Sequence, residues 1–101
     1  LAGKEMMIGR YYLDRQEYLS AANRFRAVVQ TYDTTTHAPE ALHRLVEIYL
    51  LLGIQGEAEH YAAVLGHNFP LSEWYQRSYA LLRKDSKTVT QPPKNPWWNV
   101  L

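Results

Sequence analysis

The 101-residue sequence contains no cysteine, which excludes a disulfide framework, a thiol nucleophile and a thiolate metal site. No window approaches the roughly 18 uninterrupted apolar residues of a membrane-spanning helix. Leu1-Ala2-Gly3-Lys4 has neither the apolar segment of a signal peptide nor an initiator methionine, so the chain reads as a piece of a longer one. Charge of one sign is also missing, with 11 Lys and Arg against 10 Asp and Glu and a formal net charge of +1. Without a basic stripe to neutralise phosphates, nucleic acid is not an expected partner. There is no nucleophile elbow and no Gly-rich phosphate loop. No catalytic residue is assigned, and the chain is not read as an enzyme. His43-(x3)-Glu47 and Glu57-(x2)-His60 each put two metal-ligand types on one helical face. A bundle metal site needs convergent ligands from several helices, so neither a metal nor another cofactor is expected.

What the sequence does contain is a stretch that recurs. Ile8, Tyr12, Ala21, Val28, Tyr32 and Asp33 return thirty-seven residues later as Leu45, Tyr49, Ala58, Leu65, Phe69 and Pro70. An internal repeat of this length marks stacked supersecondary units, each with an apolar face that it buries against its neighbours. The aromatic content is high at 13%, including eight Tyr; such half-polar rings suit helix packing with one edge wet.

Apolar spacing predicts five helices, at about 3–15, 17–31, 36–52, 55–66 and 72–83. Thr36 is expected to cap the third, with Pro39 in its first turn and Gly53 as a left-handed stop. Gly66 and Pro70 are expected to end the fourth, and Ser72 to cap the fifth. From Lys84 the composition turns to Asp, Ser, Lys, Thr, Gln and Pro, and a tail over 84–101 is expected to lack a fold of its own. Its aromatic end, Trp97-Trp98, is a candidate docking element, on this fold or on a partner.

This alternation resembles the tetratricopeptide (TPR) repeat. Ile8-Gly9, Tyr12, Tyr18, Ala21, Phe25 and Val28 fill its pattern in a first unit, and Leu45-Val46, Tyr49, Ala58, Leu65 and Pro70 in a second. Two departures stand out: Asp33 sits where Pro is usual, and Ala62 replaces the second unit's aromatic, a loss that Tyr61 can compensate. The resemblance implies an all-α fold of antiparallel helix pairs in a right-handed solenoid of about two and a half repeats. The units are 1–33, 34–70 and a capping helix over 71–83.

The fit narrows at Tyr11-Tyr12-(x5)-Tyr18-(x2)-Ala21-Ala22-Asn23-Arg24, at Glu40-Ala41-Leu42, at Asn68-Phe69-Pro70-Leu71-Ser72-Glu73-Trp74-Tyr75 and at Tyr79-Ala80-Leu81-Leu82. These segments, within residues 4–83, are similar to the C-terminal half of the BamD family. Its members are TPR lipoproteins of the machinery that assembles β-barrels into the bacterial outer membrane. The resemblance implies a periplasmic scaffold held at the outer membrane by a lipidated N-terminal cysteine that this stretch does not include. It also implies contact with the periplasmic POTRA region of the barrel subunit BamA, and with other Bam subunits or unfolded outer-membrane proteins. Asn23, Arg24 and Arg26 are the candidate partner-binding residues on that ground, with Arg24 as the anchor and Arg26 as an equally exposed neighbour. The alternative is a peptide-binding module that receives extended segments of unfolded outer-membrane proteins in the concave groove. Met6, Arg10, Leu13 and Asp14 would line that groove from the first helix, and Glu40, His43, Glu47 and Leu50 from the third.

Overall fold

The computed structural model describes residues 1–85, which form five antiparallel α-helices and, among those residues, no strand. They are α1 (Ala2–Asp14), α2 (Tyr18–Thr31), α3 (Ala38–Leu51), α4 (Gln55–Asn68) and α5 (Glu73–Asp85). Each helix packs on the next, except that α5 lies against both α3 and α4. This is the all-α, TPR-like arrangement of two helix pairs and a closing helix. Trp97 and Trp98 lie outside the described residues, while the fifth helix itself continues through Lys84 to Asp85.

The thirty-seven-residue offset is written into the backbone. After α1, the Gln16 N–H donates to Leu13 O and the Glu17 N–H to Tyr12 O; after α3, Gly53 N–H donates to Leu50 O and Ile54 N–H to Tyr49 O. Both pairs are Schellman caps, in which a left-handed residue lets two trailing N–H groups satisfy the helix's last carbonyls. The left-handed residue is Gly53 (φ 76°) in the second unit and Gln16 (φ 62°) in the first. Glu17 and Ile54 then enter α2 and α4 with nearly the same dihedrals, φ −91°, ψ 78° and φ −101°, ψ 79°. Tyr32 and Phe69 leave them with the same 2.8 Å bond, to Val28 O and Leu65 O. A Cβ in the left-handed region is strained. Gln16→Gly is therefore expected to raise stability by up to about 1 kcal/mol, read as a higher urea midpoint at unchanged slope.

Two end signals act differently from expectation. His37, not Thr36, is the residue preceding α3, and no side chain caps that helix; Pro39 in the first turn starts it without needing a donor. Gly66 does not stop α4, which runs on to Asn68. It serves packing instead: a Cβ there would lie 2.6 Å from the Tyr75 ring, so only glycine lets α5 approach this closely. Ser72 does cap α5, its Oγ accepting from the Trp74 N–H at 3.1 Å.

The core joins Met6, Phe25, Val28, Leu45, Val46, Ile48, Ala58 and Ala62, all at most 1% exposed. Its two halves are filled in opposite ways. In the first unit Phe25 lies over Gly9, where a Cβ would fall 2.7 Å from the ring. Thirty-seven residues on, the same two positions hold Val46 and Ala62. A small residue beneath a large one has become a larger residue beneath a small one, which is how a close-packed interior conserves volume between repeats. Tyr61 packs at the edge of this core, its ring stacked on Tyr49 at 5.6 Å and 9°.

Candidate functional site

Helix α2 carries Asn23, Arg24 and Arg26 within a single turn, and their surroundings separate them. Arg26 donates from Nη1 to the Tyr49 hydroxyl at 2.7 Å and from Nη2 to Asn23 Oδ1. Tyr49 is 6% exposed and stacked on Tyr61, so Arg26 clamps α2 to α3. It is not the free, matched arginine expected from its spacing. Burial pushes the Tyr61 hydroxyl's pKa up, helped by Tyr49 and opposed by Arg26.

Arg24 is held more loosely. Its Nη1 donates to Glu5 Oε2 at 3.3 Å, and 41% of the side chain is exposed. It lies at a polar cleft of about 400 Å³ lined by Glu5, Tyr12, Ser20, Asn23, Arg24 and Ala27. Guanidinium has five N–H donors in a planar fork. Among the described residues Arg24 uses one of them on Glu5, and the single long bond leaves the fork able to grip a second carboxylate.

The groove residues Arg10, Glu40, His43 and Glu47 are brought together, but as partners of one another. Arg10 reaches from α1 to α3 and forks onto Glu40, with Nε at 3.0 Å and Nη2 at 2.6 Å from its two carboxylate oxygens. Arg44 bridges Glu40 (3.4 Å) and Glu47 (2.8 Å). Burial alone would push the Glu40 carboxyl up; the Arg10 fork, with Arg44, overcomes it and holds the group below the usual carboxylate range. The Glu40 hydrogen bond holds Arg10 more firmly protonated in turn. Met6, expected to line the groove, is fully buried in the core instead.

His43 lies beneath the groove at 3% exposure. Its Nδ1 is 2.8 Å from Ser78 Oγ on α5, its Nε2 3.6 Å from Glu47, and its ring 5.2 Å from Trp74. Arg44 and Arg77 lie over the Trp74 ring at 5.4 and 4.8 Å. Among the described residues no cluster of three metal-ligating side chains exists.

Burial, with Arg44 and Arg77 beside it, lowers the His43 pKa despite Glu47 and Glu40. The folded state therefore favours neutral imidazole, and the unfolded chain binds the proton more readily. Stability from this group is complete above the ordinary histidine range and is lost as pH falls through it, at no more than about 1.4 kcal/mol per pH unit. Glu40, with its lowered pKa, adds a second loss only at more acidic pH. Urea unfolding at pH 7.5 and 5.5 is expected to show lower stability at 5.5. In His43→Asn, which keeps a polar group facing Ser78, that difference should shrink.

A family model described as "Outer membrane lipoprotein" (YfiO) matches residues 1–65. Proteins named outer membrane protein assembly factor BamD are similar over most of the chain. The Caulobacter vibrioides protein is 55% identical over 95 residues, covering 93% of this chain and 31% of that one. The Rickettsia prowazekii protein is 53% identical over 83 residues, covering 82% and 33%. A Neisseria meningitidis protein is 34% identical over 98 residues, covering 97% and 33%. The chain thus spans about a third of the length of the curated relatives it matches. No solved structure matches it. With more than half its residues inside the family model and its helical repeat intact, the chain belongs to the YfiO/BamD family of outer-membrane lipoproteins.

Proposed function

We propose that this chain is a protein-binding scaffold in outer-membrane protein assembly, facing the periplasm, and that it holds the POTRA region of BamA through the surface around Arg24. Relatives carrying the name outer membrane protein assembly factor support the role. The observation that carries the choice of surface is the contrast between two arginines two residues apart. Arg26 is committed to Tyr49 and Asn23, whereas Arg24 is half-exposed at the mouth of a polar cleft with a single long bond to Glu5. Arginine in such a setting is a favoured interface anchor. Glu5 keeps the fork oriented until a partner carboxylate adds to it or replaces it. No step here requires catalysis, and the scaffold acts by holding one subunit in register with another.

The concave groove is the weaker choice, because Arg10, Glu40, Arg44 and Glu47 already satisfy one another. An incoming peptide would have to break those pairs and leave partly buried charge uncompensated. Titrating the chain with the purified POTRA region, and separately with unfolded barrel-protein peptides, distinguishes the two. Saturable binding to the POTRA region with little affinity for the peptides is expected. The reverse preference would transfer the function to the groove.

A further inference from the structure

A second surface lies apart from the Arg24 cleft, between the C-terminal parts of α3 and α5. Leu50, Leu51 and Leu81 line a groove there of about 440 Å³, completed by Glu47 and Lys84. Leu51 is 61% exposed. Three of the five lining residues are leucines, so most of the groove is an apolar surface that water covers poorly.

We infer that the occupant of this groove is the chain's own Trp97-Trp98 segment. Lys84 lines the groove and Asp85 is the last residue of α5, so the chain beyond the helix departs from the groove's own edge. Residues 86–96 can span up to about 36 Å at full extension, far more than the return to that edge requires. A short tether keeps its end at roughly millimolar effective concentration, so weak contacts suffice to hold it. The segment beyond the tether carries two adjacent indoles and then Val100 and Leu101. Each indole offers on the order of 150–250 Å² to bury, which matches a leucine floor. The Lys84 ammonium at the rim can lie over an indole face. Docking there covers the leucines between α3 and α5. It does not depend on the POTRA reading, because the two surfaces share no residue.

The test uses the 101-residue chain with 13C-labelled leucine methyls, compared with the W97A/W98A variant. In the parent, the Leu51 and Leu81 methyls are expected to be shifted upfield and to show NOEs to indole protons, unchanged on tenfold dilution. Both effects should vanish in W97A/W98A. Leu51→Asp, at an exposed position that folding does not require, should release the Trp97 and Trp98 indole resonances while that of Trp74 stays in place as the marker of an intact fold. Methyl shifts indifferent to W97A/W98A would overturn the proposal. NOEs found only between differently labelled chains would also overturn it, by making a second copy the occupant.

Discussion

Truncating Phe25 to alanine is expected to cost about 3–5 kcal/mol, a large part of the stability of a domain this size. The ring is fully buried and lies over Gly9, which no other side chain can share with it. Gly9→Val, made alone, improves helix propensity yet drives its side chain into that ring, and should still lower stability by about 1–3 kcal/mol. The second unit shows how the two changes belong together, since Val46 and Ala62 occupy the equivalent positions and are both buried in the core. The double variant Gly9→Val/Phe25→Ala copies that arrangement. Its loss should be smaller than the sum of the single losses by about 2 kcal/mol, within the range of coupling between touching residues. Urea unfolding of the four proteins measures the cycle, and additive losses would mean that the two positions do not compensate each other.

Much of this fold is legible in the sequence because it is periodic. Apolar spacing locates all five helices to within a few residues, and Gly53 marks a left-handed cap because glycine is the usual residue for one. Gln16 performs the same task without any such mark. Only the offset from Gly53 could have found it. Gly66 reads locally as a stop, yet α5 packs its Tyr75 ring there, and tertiary contact overrides the local signal.

The site is less legible for a related reason. Arg24 and Arg26 look alike along a helix, and the difference comes from Tyr49, twenty-three residues beyond Arg26. His43 and Ser78 are thirty-five residues apart, and no spacing in the sequence pairs them. The offset could have suggested that groove positions on α1, α3 and α5 face one another. It could not show that Arg10 and Glu40 would neutralise each other there.

The Arg24 surface is tested most directly by the affinity of Arg24→Ala for the POTRA region. Arg24 is only loosely tied to Glu5, and a half-exposed ion pair contributes at most about 1 kcal/mol. Since alanine favours helix at least as well, the variant should remain folded with unchanged helix content. If the guanidinium forks onto a partner carboxylate, its loss should weaken binding by about 2 kcal/mol or more, roughly thirtyfold. Arg24→Lys should recover part of that, because an ammonium keeps the charge but cannot reproduce the planar fork. Arg26 cannot serve as the control, since its removal would leave the Tyr49 hydroxyl without its donor. Arg83, exposed near the end of α5, is the suitable comparison. Calorimetric titration of the POTRA region into the parent, Arg24→Ala and Arg83→Ala chains should show the thirtyfold loss for Arg24→Ala alone. Equal affinity in all three, or equal small losses at both arginines, would contradict a specific anchor at Arg24.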